Sequence, residues 1–344
     1  MSGLGSDSVR IPLECFHGTG NDFGIVAAEA PIGARRRFAR SVCDPTDGLA
    51  VDGVLFLGLE PTCRPPRVVM TLVQPDGSTA PMCGNGARCA AGWAMDRTGT
   101  DAVMIDTQAG SRRATSVSTA EDGDWRIAVE MGAPSFDPES VPVRAATPVV
   151  DRPLTERTDG VGFDERTVRI ATDAVDRRTD DVRVTAVDTG VPHAVAFVDD
   201  VDGVALDRLG PAIRNADPFP LGTNVTIASR IDERTGVSGS DRDGPAGEPP
   251  TTFRQRTYER GVEDETAACG TGAVAIAAVA RRLDSVVTGD RLTIRPLGGE
   301  LDVSFDEWGR AILEGPVVRE RTLTVAVTGD TITVDDGDAI AADD

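Results

Sequence analysis

Short apolar runs bounded by Gly, Pro or Asp recur along the chain and predict a protein rich in β-strands. The clearest runs occupy residues 68–73, 125–131, 194–198, 253–258, 291–295 and 311–313. A different pattern covers residues 273–280, where Ala-Val-Ala-Ile-Ala-Ala-Val-Ala is apolar on every face. Because a helix of this composition needs burial all round, we expect it at the centre of a surrounding sheet.

The chain also repeats itself. Residues 82–87 (MCGNGA) and 268–273 (ACGTGA) share one pattern, and each precedes a stretch of small residues. Upstream of each lies a Gly-containing turn, at 18–23 and at 189–193. The second copy is longer, and the excess matches a Gly-, Ser-, Pro- and Asp-rich stretch at 235–250 that we interpret as a surface insertion. The pattern therefore indicates two copies of one unit, each with short strands around one helix.

These observations predict an α+β protein of two domains. The N-terminal domain covers residues 1–134 and is completed by a return strand at about 316–330. The C-terminal domain covers 135–315, and residues 331–344 form an acidic tail. We set the boundary at Pro134, because a predicted strand ends there and a Pro- and Asp-rich link begins.

The charge balance excludes several classes of function. The chain has 35 basic and 56 acidic residues, a formal net charge of −21, and every basic side chain is Arg. Such a surface repels nucleic acid and anionic membranes, and we expect neither as a partner. The absence of Lys excludes a pyridoxal-phosphate enzyme and a Walker P-loop. Acidic, lysine-free composition is typical of a halophilic protein, whose charges are screened by salt.

The cysteine thiols are the remaining candidates for catalytic groups. The six Cys lie at 15, 43, 63, 83, 89 and 269 and form no C-x-x-C pair, and the only His are His17 and His193. This distribution predicts free thiols and no metal site. No apolar run reaches the length of a membrane helix, and the first residues lack the layout of a signal peptide. We therefore expect a cytoplasmic protein.

Both repeated Cys residues precede Gly-x-Gly and a helix, which would place each thiol at a helix N-terminus. The helix dipole and the free backbone N–H groups there lower a thiol pKa and hold an anion. One thiolate can remove the α-proton of an amino acid while a second thiol returns a proton to the opposite face. Such a pair inverts the carbon without a cofactor, so we expect none. The alternative is that both Cys are small core residues at Gly-rich helix starts.

In its motifs and their order, the sequence resembles the diaminopimelate epimerases, which interconvert the L,L and meso forms of diaminopimelate in lysine biosynthesis. The matching segments are HGTGNDF (17–23), DGVLF (52–56), DGS (76–78), MCGNGAR (82–88), TQAG (107–110), PHAVAFVDDVD (192–202), TNV (223–225), YERG (258–261) and ETAACGTGA (265–273). The resemblance implies two pseudo-symmetric domains, each a twisted, mainly antiparallel sheet or barrel around a central helix. It also implies a site between the domains, which close on the substrate.

The resemblance further implies that Cys83 and Cys269 are the acid/base thiols, with His193 and Glu259 beside them to help set their protonation. The residues it implies as substrate contacts are Asn21, Gln74, Gly84, Asn85, Asn224, Arg260, Gly270 and Thr271. Arg260 is suited to pair a distal carboxylate in a bidentate fork. The expected partner is a small amino-acid substrate, and a homodimer is left open.

Three positions depart from the family pattern. Gln74 stands where Asn is usual, Val191 stands where Asn precedes Pro-His, and Gly53 follows Asp52 where some relatives carry Gln. The first two positions are expected to bond the distal end of the substrate, so substrate identity is more open than reaction type. One alternative is therefore a two-cysteine racemase of another amino acid. A second is a non-enzymatic redox sensor that uses Cys83 and Cys269 as a dithiol switch.

Overall fold

The computed structural model describes residues 8–119, 124–157, 162–175, 182–231, 251–286, 291–328 and 331–335. The chain divides into two compact units, residues 1–130 with 314–344 and residues 131–313. The insertion predicted at 235–250 and residues 336–344 of the predicted tail lie outside the described residues. Residues 331–335 of that tail form a strand.

The first unit consists of strands and two helices. Its strands are β1 (Val9–His17), β2 (Asp22–Ala27), β3 (Gly53–Glu60), β4 (Arg67–Val73), β5 (Thr79–Ala80), β6 (Ala102–Thr107), β7 (Gly110–Thr119) and β8 (Asp124–Gly132). Its helices are α1 (Arg35–Cys43) and α2 (Gly84–Thr98).

The second unit has its own strands and helices, and the chain then returns to the first. Its strands are β9 (Arg152–Pro153), β10 (Arg183–Asp188), β11 (Pro192–Phe197), β12 (Asn224–Ile231), β13 (Thr252–Glu259), β14 (Asp264–Thr266), β15 (Leu292–Arg295) and β16 (Leu301–Phe305). Its helices are α3 (Glu165–Ala174), α4 (Leu206–Arg214) and α5 (Gly270–Arg282). The last strands are β17 (Ala311–Thr328) and β18 (Thr331–Asp335).

Strand pairing repeats from one unit to the other. In the first unit β1–β2 is antiparallel, β2–β3 parallel, β3–β4 antiparallel, β4–β6 parallel and β6–β7 antiparallel. The second unit has the same sequence of pairings in β10–β11, β11–β12, β12–β13, β13–β15 and β15–β16. Each parallel step spans a long crossover connection, as parallel pairing requires, and each of these connections contains a helix. The predicted duplication is therefore confirmed, and so is the α+β class with mainly antiparallel sheets.

One helix in each unit is buried along most of its length. Every residue from 84 to 95 in α2 and from 270 to 280 in α5 is buried. Helix α2 packs against β3, β4, β6 and β7, and α5 packs against β10, β11, β12 and β16. The central helix predicted at 273–280 is confirmed, and α5 extends beyond it at both ends.

A second layer covers the outside of each sheet, and the strand prediction did not anticipate it. In the first unit Phe38 of α1 packs on Phe56 of β3, with ring centroids 6.1 Å apart. In the second unit Leu209 and Ile213 of α4 join a core with Ile227 of β12. Helices α1 and α4 are short and charged on one face, so they lack the long apolar run that marked α5.

The six predicted strands all coincide with observed strands, with ends shifted by a few residues. The largest difference concerns the run at 311–313, which is the beginning of the long strand β17. Beyond it, β17 pairs with β1 from Val9 to His17 and so joins the sheet of the first unit. Among the described residues, no helix combines the length and apolar character that crossing a bilayer requires.

Candidate active site

Cys83 is the N-cap of helix α2. Its backbone is extended (φ −142°, ψ 116°), and its Sγ accepts a hydrogen bond from the N–H of Gly86 at 3.4 Å. The side chain is half-buried. The helix ladder begins with the N–H of Ala87, which donates to the carbonyl of Cys83 at 2.8 Å. The thiol therefore lies at a helix N-terminus, as predicted, where backbone N–H groups without an intrahelical acceptor are suited to hold an anion.

Asn85 and Asn21, both predicted as substrate contacts, meet directly. The Asn85 Nδ2 donates to Asn21 Oδ1 at 2.6 Å, and Asn21 Nδ2 donates to Asp52 Oδ2 at 3.2 Å. The turn that carries Asn21 approaches α2 so closely that a Cβ on Gly18 would lie 2.9 Å from the Sγ of Cys89. Gly18 is therefore required for the turn to reach the beginning of α2.

Arg88 lies within this cluster, and the sequence analysis did not assign it a role. Its side chain is fully buried, and its Nη2 donates to Thr19 Oγ1 at 2.8 Å and to Asn85 Oδ1 at 2.9 Å. Burial lowers the pKa of this guanidinium to about 10. A signal was present in the sequence, because Arg88 is the only charged residue between positions 84 and 95.

Cys269 is the N-cap of α5, in the same geometry as Cys83. Its backbone is extended (φ −127°, ψ 106°), and its Sγ accepts from the N–H of Gly272 at 3.4 Å. Cys269 is buried, with 5% of its surface exposed. A Cβ on Gly272 would lie 2.6 Å from Gln255 Nε2, so a larger residue would displace the buried amide that donates to the Cys269 carbonyl.

Glu259 lies beside the Cys269 thiol. Burial, and next the negative charge of Glu259, raise the pKa of Cys269 well above its usual value. The protonated thiol is hydrogen-bonded to the Glu259 carboxylate, which also accepts from Thr266 Oγ1 at 2.7 Å. Cys269 is therefore a thiol at neutral pH, and the carboxylate is in place to exchange a proton with it.

His193 reaches Cys269 through a hydroxyl group. The Oγ1 of Thr271 lies 3.0 Å from His193 Nε2 and 3.4 Å from the Sγ of Cys269. The other ring nitrogen, Nδ1, lies 3.0 Å from Thr226 Oγ1. Burial lowers the pKa of His193 to about 3, so the imidazole is neutral. The sequence analysis missed Thr226, and no local motif marks it.

Asn224 links the histidine to Arg260. Its Oδ1 accepts from the backbone N–H of Arg260 at 2.8 Å, which leaves its Nδ2 at 3.3 Å from His193 Nε2. The Arg260 guanidinium donates to the carbonyls of Leu221 and Gly222 at 3.3 and 3.4 Å. Burial, and then the positive charge of Arg214, lower the pKa of Arg260.

Gln74 and Val191, two of the departures from the family pattern, each make a local hydrogen bond. Gln74 is bonded within its own turn, since its Oε1 accepts from Ser78 Oγ at 2.9 Å. Val191 contributes a backbone carbonyl that accepts from the N–H of Thr189 at 3.1 Å. Its aliphatic side chain has no group that could bond a polar substrate.

A further cluster could offer ligands to a metal ion. One ligand atom from each of His17, Asp22 and Glu320 lies within 4.8 Å of the others. Both ring nitrogens of His17 already have hydrogen-bond partners. Its Nδ1 lies 2.7 Å from Asp22 Oδ1, and its Nε2 accepts from the N–H of Gly20 at 3.3 Å. We therefore assign the cluster no metal.

Known proteins match this chain over both of the segments that contain Cys83 and Cys269. Residues 15–136 and 185–336 match the family model for diaminopimelate epimerase, and these ranges include both Cys83 and Cys269. The chain is 37% identical to a diaminopimelate epimerase of Methanocella arvoryzae over 315 residues, 89% of this chain and 94% of that protein. It is 36% identical to one of Methanothrix thermoacetophila over 308 residues, 88% and 91% of the two chains.

Solved structures support the fold alone. A phenazine biosynthesis protein of the PhzF family from Bacillus anthracis superposes with a TM-score of 0.61, at 13% identity, over 93% of this chain and all of that one. The family model and these two relatives cover both repeated units and their Cys-Gly-x-Gly helix starts. The chain belongs to the diaminopimelate epimerase family.

Proposed function

We propose that this protein is a cofactor-independent diaminopimelate epimerase that inverts one α-carbon between the L,L and meso forms. The observation that carries the proposal is the duplicated helix start, in which Cys83 and Cys269 each cap a buried helix with the same backbone geometry. Family membership supplies the substrate, and the two thiols supply an acid and a base. Inversion needs both, because the proton leaves one face of the carbon and another arrives on the opposite face.

In this mechanism one sulfur is a thiolate and the other a thiol. The thiolate removes the α-proton, the electron pair stays on the α-carbon, and the opposite thiol donates its proton to that carbon. The α-carboxylate binds the backbone N–H groups of Gly84, Asn85, Gly270 and Thr271, which lie at the two helix N-termini. The raised pKa of Cys269 and its bond to Glu259 support a thiol there in the resting enzyme.

The distal end of the substrate sets specificity. We propose that Arg260 pairs the distal carboxylate and that Asn224 bonds the same half of the molecule. Val191 favours a second candidate, a two-thiol racemase of another amino acid, because its side chain offers the distal ammonium no acceptor. Loss of one such hydrogen bond costs roughly 1–3 kcal/mol, which would raise KM without excluding diaminopimelate.

The test is α-hydrogen exchange in heavy water, followed by NMR, with reduced protein at high KCl. We expect deuterium to enter the α-carbon of L,L-diaminopimelate as the meso form grows. A parallel panel of common amino acids serves as the comparison. Exchange on another amino acid alone would establish the second candidate, and exchange on none would contradict both.

We also propose a place in lysine biosynthesis, in a reducing and saline cytoplasm. Six free cysteines fit a reducing compartment, and a net charge of −21 fits high salt. The melting temperature should then rise with KCl, because salt screens the repulsion between acidic side chains. A melting temperature that does not depend on KCl would contradict the saline setting.

A further inference from the structure

Arg88 carries a buried charge that has no part in the two-thiol chemistry proposed above. Its side chain has no exposed surface, and its Nε and Nη1 atoms have no acceptor among the described residues. Among the residues that the structure describes, no carboxylate forms an ion pair with Arg88. A guanidinium taken out of water without a carboxylate is unfavourable unless another anion lies nearby.

The position of Arg88 on α2 directs its charge toward the first turn. Arg88 is five residues beyond the cap Cys83, and long side chains on a helix lean toward its N-terminus. Its bonds to Asn85 and Thr19 hold the guanidinium over that turn. The beginning of α2 therefore combines the positive end of the helix dipole with a desolvated cation.

The titratable groups around Arg88 leave one candidate anion. The groups that act on it are Cys83 and Cys89 of α2 and Arg126 of β8. Burial raises the pKa of Cys89 to about 12, so that sulfur stays protonated. Arg126 forms an ion pair with Glu314, which compensates its charge. Cys83 is half-buried at the helix N-terminus, where a thiolate is favoured.

The second unit provides a natural contrast. Five residues beyond Cys269, the position equivalent to Arg88 is Val274, which is buried and apolar. A carboxylate, Glu259, lies beside Cys269 instead. The duplicated helix start is thus paired with a cation in one unit and with an anion in the other.

We propose that Arg88 is a positioning residue that acts as the counter-ion of a Cys83 thiolate, so that in the resting protein Cys83 is the base and Cys269 is the acid. This assignment rests on the two-thiol function proposed above. It predicts that the first proton taken from a substrate goes to Cys83. Arg88 acts through Cys83 and does not touch the substrate.

The test is the pH dependence of alkylation, measured without substrate. Iodoacetamide reacts with thiolates, and mass spectrometry of the peptides gives separate rates for Cys83 and Cys269. In the unaltered protein we expect the alkylation midpoint of Cys83 to lie at least one pH unit below that of Cys269. The reverse order would overturn the proposal without any variant, and inactivity toward diaminopimelate would not affect this result.

Two variants then test Arg88 itself. Arg88→Met should reduce the alkylation rate of Cys83 at pH 7 by about tenfold or more, because the nearby cation is lost. Arg88→Lys keeps the charge and should restore most of that rate. Arg113→Met removes an equal charge from an exposed position of β7 and should change nothing. A folded Arg88→Met protein with the Cys83 profile of the unaltered protein would overturn the proposal.

Discussion

The helix starts at Cys83 and Cys269 share a backbone but not an electrostatic environment. Each sulfur accepts an N–H bond at 3.4 Å from the glycine three residues on. Cys83 is half-buried and begins a helix that holds the buried cation Arg88. Cys269 is buried and is bonded to the carboxylate Glu259. The repeated local sequence gives both sulfurs the same backbone geometry. The residues packed around each helix determine whether a positive or a negative charge lies near its sulfur.

This difference explains how a duplicated scaffold can serve a reaction that needs two unlike groups. Two identical thiols would compete for the same protonation state, and a racemase needs one acid and one base at a time. A buried anion disfavours a thiolate, and a nearby cation favours one. The contrast between the two units is therefore open to direct tests.

The largest effect is expected from removing either sulfur. Cys83→Ser and Cys269→Ser should each reduce epimerisation by about 10²–10⁴-fold, because a serine hydroxyl is a far weaker acid than a thiol. NMR of α-deuterium exchange gives the rates. Cys63→Ser changes a half-buried thiol outside both helix starts and should retain activity. A Cys83→Ser protein that still epimerises at the unaltered rate would contradict the two-thiol mechanism.

Glu259→Gln should have the next largest effect and should reduce the contrast between the units. The Glu259 charge raises the pKa of Cys269, so its removal lowers that pKa and increases alkylation of Cys269 at pH 7. Turnover should fall by about tenfold to a hundredfold, because the thiol loses its proton acceptor. Both quantities are measured on the same preparation.

Glu300→Gln is the matched control for that substitution. Glu300 pairs with Arg295 at 3.1 Å on the surface of the same unit. Its loss should leave both the alkylation profile of Cys269 and turnover unchanged. If the two glutamine variants behaved alike, general charge and not the Glu259 contact would account for the effect.

Removing the Thr271 hydroxyl should have a smaller effect in the opposite direction on the thiol. Its bond to the sulfur lowers the pKa of Cys269, so Thr271→Val should raise that pKa further. We expect kcat to fall by about tenfold with little change in KM, because the backbone N–H remains. Thr271→Ser should restore kcat, and a rise in KM alone would contradict a role for the hydroxyl.

The smallest expected effect is a pH dependence of stability confined to the second unit. The pKa of His193 is about 3 when folded and about 6.5 when unfolded, so the unfolded chain binds its proton first as pH falls. Stability from this residue is fully present above pH 6.5 and is lost as pH falls toward 3. Between pH 7.5 and 5 the loss should be about 2 kcal/mol.

Denaturant unfolding at constant KCl measures that loss. His193→Asn should remove this part of the pH dependence, whereas His17→Asn should retain it, because His193 is unchanged in that variant. Hydrogen exchange should locate the weakening in the second unit. Equal slopes for the unaltered protein and the His193→Asn variant would contradict the assignment of a neutral buried imidazole.

Much of the site followed from short segments of sequence. Cys83 and Cys269 were identified from a repeated local pattern, and that pattern carries its own geometry because N-caps depend on adjacent residues. The sequence showed Arg88 only as part of the MCGNGAR motif and did not reveal its role. Its Nη2 donates to Thr19, which is 69 residues away in the chain, and sequence spacing does not reveal such a contact.

The sequence by itself determined the duplication, the α+β class, the two capping thiols and the family, because these depend on local periodicity and on ordered motifs. The tertiary structure decided which sulfur has a cation nearby and which an anion, and it joined His193 to Cys269 through the Thr271 hydroxyl. The physical reason is that protonation depends on desolvation and on charges within a few ångströms. Residues far apart in the chain supply both, and only folding brings them together.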